Sequence, residues 1–208
     1  GDGDRGIIVD EQGNILDGDI VLAITAGYFI ERDKLPKKTV VTTVMSNIGL
    51  KAAISKIGGK MIITKVGDKH VLDKMRKEGL ALGGEQSGHT IFYEYLPTPD
   101  GLVTGLQMLR VMRDTGASLS KLAGCMTKYP QVLVNVKVKE KRPFDKMPAV
   151  SSSLKRFNDQ LKDDGRILLR YSGTEKLARV MVEGKDKDSI TSIANTLADE
   201  IKKEIGAD

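Results

Sequence analysis

Strand-like runs alternating with helix-length periodic segments predict an α/β fold for most of this chain, with a small α+β unit at its end. Three observations carry that reading. Between Gly6 and Met112 short β-branched or apolar runs alternate with stretches of helical period. After Pro130 the pattern changes: Val132, Val134, Val136 and Val138 alternate with Leu133, Asn135 and Lys137, the period of an antiparallel strand with one polar face. Two further strands and a long amphipathic helix then complete the chain.

Taken in order, Gly6–Val9 reads as a short strand followed by a turn around Glu11–Asn14. Asp17 caps a helix with Ile20, Val21, Ile24 and Tyr28 on one face, a spacing of 3.6 residues. Thr39–Thr43 is β-branched and reads as a buried strand. Ser46 or Asn47 caps a helix through Ala53 and Ile57, which Gly58 and Gly59 stop. Lys60–Thr64 is the next strand. Asp68 starts a helix with Val71, Leu72 and Met75 inward, ending near Gly79.

Leu80–Leu82 is a strand into a glycine-rich loop, and Thr90–Phe92 is the strand out of it. Asp100 caps a helix that holds Leu102, Val103, Leu106, Leu109 and Met112. The boundary between the two kinds of pattern falls near Lys128. Beyond the valine strand come a helix through Val150, Leu154, Phe157 and Leu161, and strands over Arg166–Tyr171 and Ala178–Glu183. A last helix turns Ile190, Ile193, Leu197, Ile201 and Ile205 inward.

Composition restricts the function classes. At 208 residues, with 40% hydrophobic and 29% charged residues, the chain suits one generous domain or two modest ones. Aromatic residues make up only 4% and tryptophan is absent, against a base-stacking platform for nucleic acid. The net charge of +5 comes from lysines interleaved with acids, as in Lys137–Arg142 and Asp199–Glu204, which reads as a solvated surface. No apolar stretch approaches the roughly 20 residues that span a bilayer, and no signal peptide is visible. The single cysteine, Cys125, allows no intramolecular disulfide and sits among Leu122, Ala123, Gly124 and Met126 as a structural thiol. A cytoplasmic location is expected. The opening at Gly1, inside an acidic turn, reads as the start of a piece of something longer.

Three loops have the composition of ligand sites. In Gly1-Asp2-Gly3-Asp4-Arg5-Gly6, carboxylates spaced by glycine let a tight turn aim several oxygens at one point, as a hard cation such as Mg²⁺ requires. An EF-hand fails in both registers, because Ile7 or Arg5 falls where the sixth-position glycine belongs. A surface β-turn remains the competing reading. In Gly83-Gly84-Glu85-Gln86-Ser87-Gly88-His89, glycines admit a ligand while Glu85, Ser87 and His89 offer an acceptor, a hydroxyl and an imidazole. Sugar hydroxyls need such a mixed set; the competing reading is a polar hairpin loop. In Arg170-Tyr171-Ser172-Gly173-Thr174-Glu175, with Arg179 on the outgoing strand, backbone amides, two hydroxyls and two guanidinium forks can hold a phosphate. The competing reading is a hairpin with incidental arginines.

The ordered set Asp-Gly-Asp-Arg, Gly-Gly-Glu-Gln-Ser-Gly-His and Arg-x-Ser-Gly-Thr-Glu resembles the α-D-phosphohexomutase superfamily over essentially the whole chain. Gln86, Val66-Gly67-Asp68 and Thr43-Val44-Met45-Ser46-Asn47 are similar to its phosphoglucosamine mutase branch. The resemblance implies four domains around a cleft, with a phosphoserine loop, a magnesium loop, a sugar loop and a phosphate clamp. It assigns residues 1–17 to the tail of the second domain with part of the metal loop. Residues 18–127 become a third, sugar-binding domain of α/β/α layers around a mixed sheet, and 128–208 a fourth, phosphate-binding α+β domain of TBP-like fold.

By the same resemblance, Asp2 and Asp4 are Mg²⁺ ligands, and Arg5 lies beside the transferring phosphoryl group. Glu85 and Ser87 hold sugar hydroxyls, and His89 lies near the reacting end. Arg170, Ser172, Gly173, Thr174 and Arg179 hold the phosphate that is not transferred. The implied activity is isomerisation of glucosamine 6-phosphate and glucosamine 1-phosphate through a phosphoserine and a 1,6-bisphosphate. Its partners are a hexosamine phosphate and the N-terminal domains of the same protein, with neither nucleic acid nor membrane. The serine loop and a further aspartate expected before Gly1 are absent from the sequence, so the chain alone is expected to be inactive. Tyr171 and Lys176 stand where the branch usually has proline, which bears on the rigidity of the phosphate loop.

Overall fold

The computed structural model describes residues 2–207, the Asp163 side chain apart. Gly1, with which the acidic loop opens, lies outside these residues. The chain divides into two compact units, the first ending at Lys128 and the second beginning at Tyr129.

The first unit opens with a hairpin of two short strands, β1 (Ile8–Val9) and β2 (Ile15–Leu16), paired antiparallel. Its turn is held by Asp10, whose carboxylate accepts from the amides of Gln12 and Asn14 at 2.9 and 2.8 Å. Helix α1 (Gly18–Glu31) follows, capped by Asp17 as its sequence predicts. Ten of its residues are buried, so it runs inside the unit and has no single inward face.

A four-stranded mixed sheet forms the middle layer, in the order β4 (Lys60–Thr64), β3 (Thr39–Thr43), β5 (Leu82–Gly84), β6 (Thr90–Phe92). β3 runs parallel to β4 and β5, and β6 returns antiparallel to β5. Every residue of β3 is buried, the condition of a strand covered on both faces and the reason it reads as a β-branched run.

Successive residues on a strand point to opposite faces, and the two cores divide accordingly. Val40, Leu82 and Phe92 join α1, α2 (Ile48–Lys56) and α4 (Gly101–Thr115) in the larger core. Val41 and Ile91 join Val71 and Met75 of α3 (Asp68–Glu78) in the smaller one. The result is the expected α/β/α layering. Asn47 and Asp100 cap α2 and α4 as predicted, accepting from the amides of Gly49 and Val103 at 3.0 and 2.7 Å.

Three expectations need correction here. The first strand is shorter than Gly6–Val9, because the amide of Gly6 donates to the Gly88 carbonyl at 3.1 Å instead of to a hairpin partner. The strand expected at Leu80–Leu82 is instead Leu82–Gly84, so the glycines assigned to a loop are strand residues. Helix α3 packs so closely on that strand that a Cβ at Gly83 would come within 2.6 Å of the Met75 sulfur. Helix α4 buries Thr104, Gln107, Met108 and Val111, whereas Leu102, Leu106 and Leu109 face outward at 75%, 56% and 61% exposure. A short helix, α5 (Leu119–Ala123), was not predicted.

The second unit is an antiparallel sheet in the order β7 (Gln131–Lys137), β9 (Leu177–Gly184), β8 (Gly165–Tyr171), with helices α6 (Pro148–Leu161) and α7 (Lys187–Ile205). The valine alternation of β7 survives in three dimensions: Val136 and Val138 are buried, while Leu133 is 48% exposed. The five predicted inward residues of α7 are all buried against Ala178, Val180 and Val182 of β9. Each such aliphatic contributes about 1.5–3 kcal/mol by leaving water. The α+β expectation holds.

Candidate functional site

The sugar-loop candidate is the tight connection between β5 and β6. The amide of Glu85 donates to the His89 carbonyl at 2.8 Å, and the amide of Gly88 returns to the Glu85 carbonyl at 3.1 Å. The loop sits on the first turn of α1, where the Gly18 amide donates to the Gln86 carbonyl at 3.1 Å. Only glycine fits there, since a Cβ at Gly18 would lie 2.0 Å from the Glu85 carbonyl oxygen.

Three side chains meet around His89. Its Nε2 lies 2.9 Å from Asp4 Oδ2, and its Nδ1 lies 2.9 Å from Glu85 Oε2 and 3.1 Å from Ser87 Oγ. The second oxygen of Glu85 accepts from the Gly67 amide at 2.9 Å. Backbone pairing of Arg5 with His89 brings the acidic loop alongside. Both imidazole nitrogens thus face carboxylates, and a protonated ring donates to both. Glu85 is buried, at 7% exposure, so its charge is supported from two sides.

Arg5 Nε stands 3.7 Å from Asp4 Oδ1, and the Arg5 side chain is 56% exposed. Desolvation pushes the Asp4 carboxyl upward, but the hydrogen bond from His89 and the positive charges of His89 and Arg5 hold it down. The net result holds Asp4 below the usual carboxylate range. Among the described residues no group of three or more His, Cys, Asp or Glu side chains is arranged to hold a metal. Asp2 and Asp4 nonetheless fit a Mg²⁺ share, because that ion is commonly held by one or two carboxylates, with water and phosphate oxygens completing its shell. Beside His89 lies an open hollow of about 400 Å³, lined by Thr43, Met45, Val66, Glu85, Gln86 and Ser87. Of these, Met45 and Val66 lie two residues beyond the ends of β3 and β4 and give the hollow an apolar side.

The phosphate-loop candidate, in the second unit, connects β8 to β9. Arg170 and Arg179 are direct cross-strand partners. Burial, then the charge of Arg179, lowers the proton affinity of Arg170. Ser172 is buried; its amide donates to the Leu177 carbonyl at 2.9 Å, and its Oγ accepts from the Glu175 amide at 3.3 Å. Glu175 Oε2 accepts from an Arg179 Nη at 3.4 Å, while Arg179 Nε is buried without a hydrogen-bond partner. Gly173 and Thr174 stand exposed at the tip, and a Cβ at Gly173 would meet nothing within 4 Å. The fold therefore does not require glycine there; the open space suits the close approach of a ligand.

Three contacts that shape these loops were not foreseen from the sequence. Gly67 anchors Glu85, as described. Lys141 Nζ donates to the Ser172 carbonyl at 2.6 Å. Tyr171 stacks on Phe144 with ring centroids 4.6 Å apart, and its hydroxyl donates to the Arg142 carbonyl at 2.5 Å. Tyr171 thereby ties down a loop flank where proline was expected. The Val66-Gly67-Asp68 motif and the departure from proline at Tyr171 gave signals beforehand, but the contacts themselves, and any role for Lys141, appear only once the segment after β7 is folded against β8.

Known proteins bear on this geometry. The chain is 52% identical over 206 residues to a phosphoglucosamine mutase of Geobacter metallireducens, covering 99% of this chain and 46% of that protein. It is 48% identical over 207 residues to a phosphoglucosamine mutase of Chlamydia trachomatis, covering 100% of this chain and 45% of that protein. The chain thus spans about half the length of the relatives it matches. Among solved structures, the N-acetylphosphoglucosamine mutase of Aspergillus fumigatus aligns with a TM-score of 0.79 at 22% identity, over 97% of this chain and 47% of that one. A complex of that enzyme with GlcNAc-6P and magnesium aligns with a TM-score of 0.76 at 21% identity, over 97% of this chain and 50% of the other. These distant likenesses show a shared fold. Residues 17–129 match the description "Phosphoglucomutase/phosphomannomutase, alpha/beta/alpha domain III", and residues 133–200 match the C-terminal domain of the same family. With more than half of its length matched by the first of these alone, the chain belongs to the phosphoglucomutase/phosphomannomutase family.

Proposed function

We propose that this chain is the sugar- and phosphate-binding part of a phosphoglucosamine mutase, which interconverts glucosamine 6-phosphate and glucosamine 1-phosphate and feeds cell-wall precursor synthesis. One observation carries the reading: His89 set between Asp4 of the acidic loop and Glu85 of the sugar loop. It joins two motifs 85 residues apart in sequence beside one open hollow. The names of the relatives at 52% and 48% identity support the amino sugar over glucose or mannose phosphates.

In this reading residues 1–17 are the tail of a second domain, 18–127 a third and 128–208 a fourth. Glu85 and Ser87 accept from and donate to sugar hydroxyls. His89 holds a proton at Nε2 or Nδ1 beside the reacting end, and Arg5 sets positive charge against the transferring phosphoryl group. Arg170, Ser172, Thr174 and Arg179, with the space over Gly173, take the phosphate that stays on the sugar. Asp2 and Asp4 would hold Mg²⁺, which when bound neutralises charge on the transferring group. The nucleophilic serine is supplied by upstream sequence.

A coupled assay tests this reading. The protein extended by its upstream half is expected to turn over glucosamine 6-phosphate, and the 208-residue chain alone is not. Competition among glucosamine, glucose and mannose phosphates in the extended protein decides the substrate, and preference for a neutral hexose would transfer the assignment to the sister mutases.

A further inference from the structure

The two arginines at the base of the β8–β9 loop need a counter-charge, and the loop carries one. Arg170 and Arg179 are direct cross-strand partners, a placement that costs free energy for like charges. Among the described residues Arg170 has no ion-pair partner, and Arg179 has Glu175. Glu175 is also the only carboxylate between the two arginines in sequence.

Glu175 Oε2 accepts from two of the groups assigned to phosphate: an Arg179 Nη at 3.4 Å and the Ser172 hydroxyl at 3.5 Å. One carboxylate oxygen thus stands where a phosphate oxygen would. The fit is loose, since charge-assisted bonds between settled partners close to about 2.7–2.9 Å. The Glu175 side chain is 57% exposed and can swing into water, whereas Arg179, at 29%, is flanked on both sides by strands. Arg179 Nε is buried without a hydrogen-bond partner, so the two-pronged donation that suits a phosphate is left unmet. The turn itself does not depend on the carboxylate, because the Glu175 amide donates to Ser172 Oγ at 3.3 Å.

We propose that Glu175 is an internal competitor for phosphate: its carboxylate occupies the Arg179–Ser172 site when no phosphate is bound and leaves as one enters. The proposal rests on reading this loop as the phosphate clamp of the proposed mutase, and it names what sets the clamp's affinity. A site filled by its own side chain for part of the time binds more weakly in that proportion. Each time phosphate departs, the returning carboxylate offsets the repulsion between the arginines. Such a clamp lets one phosphate go readily and takes another, as turnover through a 1,6-bisphosphate demands.

Titration of the 208-residue chain with inorganic phosphate at constant ionic strength tests it. Glu175→Gln is expected to bind phosphate about two- to fivefold more tightly than the parent, the range an exposed ion pair allows. The gain should persist at high salt, because screening weakens a long-range field but does not empty an occupied site. In the parent, the Glu175 carboxyl carbon and the Arg179 Nε resonance should shift along one saturation curve as phosphate replaces the carboxylate. Equal or weaker binding by Glu175→Gln overturns the proposal. So does a gain that vanishes with salt, or an Arg179 shift that leaves Glu175 unmoved. In the protein extended by its upstream half, Glu175→Gln is expected to lower KM and kcat together, because release slows; unchanged values overturn the proposal. An extended protein inactive on hexosamine phosphates, whose loop still exchanges Glu175 for phosphate, keeps the competitor and removes the proposed function. An active one whose parent and variant bind phosphate equally does the reverse.

Discussion

Arg170 and Arg179 face each other as direct partners across β8 and β9. Like charges so placed on a sheet cost on the order of 0.2–1 kcal/mol, and a bound dianion would turn that cost into attraction. Without an anion, Arg170→Gln is therefore expected to leave the melting temperature unchanged or slightly higher. Phosphate should raise the melting temperature of the parent chain and have little effect on the variant, which loses about 1.5–3 kcal/mol of charge-assisted bonding to the ligand. Thermal melts with and without phosphate read both effects. A variant that melts lower yet gains as much from phosphate would show the arginines to be structural.

Glu85 has a different balance, because it is buried and both its oxygens are used. Replacing it with alanine strips the Gly67 amide and His89 of their acceptor. The expected loss is about 1–3 kcal/mol. Glu85→Gln keeps one carbonyl oxygen for Gly67 and should lose clearly less. Urea unfolding gives the energies, and exchange of the Gly67 amide reports the anchor itself. An alanine variant as stable as the parent, with that amide still protected, would remove Glu85 from the network.

Glu11 gives a pH prediction. The Ser120 hydroxyl, with further hydrogen bonds, depresses its carboxyl from an ordinary 4.5 to about 2. A carboxylate lowered in the folded state adds stability that is complete above its unfolded value and disappears as pH falls through the folded one. This contact is thus intact above about 4.5 and lost toward 2. A carbon-detected titration should place the Glu11 midpoint near 2, and Ser120→Ala should raise it toward 4.5. A midpoint already near 4.5 in the parent chain would mean that the hairpin turn is not tied to α5 in solution.

The layering, most helix caps and the two kinds of sheet were legible because local chemistry and burial agree there. Thr39–Thr43 is β-branched and buried throughout, and Asp17, Asn47 and Asp100 cap where their side chains fit. Helix α4 was misread for a physical reason. Its most hydrophobic stripe faces away from its own unit, and Thr104 and Gln107 are turned inward instead. Periodicity identifies an apolar face but not the body that buries it. The glycines of β5 were misread because their close packing against α3 depends on a neighbour more distant in sequence than any turn motif. In the candidate site, residue types were legible while their linkage was not. Nothing in the spacing of Asp4, Gly67, Glu85 and His89 announces that they form one hydrogen-bonded row.

The same distinction gives a last prediction, on Lys141 and Tyr171. Both reach the phosphate loop, Lys141 through the Ser172 carbonyl and Tyr171 through its hydroxyl to the Arg142 carbonyl. Tyr171→Phe keeps the stacking on Phe144 and removes one hydrogen bond, so stability should fall by about 0.5–1.5 kcal/mol. Lys141→Met removes a tether and a positive charge together, although the side chain is exposed. Stability should change little, while phosphate affinity falls several-fold, because the Ser172 backbone is no longer fixed and the local field is weaker. Raising the salt concentration separates the two contributions. The part due to charge shrinks as screening grows, and the part due to loop position persists. If Lys141→Met binds phosphate as tightly as the parent at low salt, Lys141 neither positions the loop nor attracts its ligand.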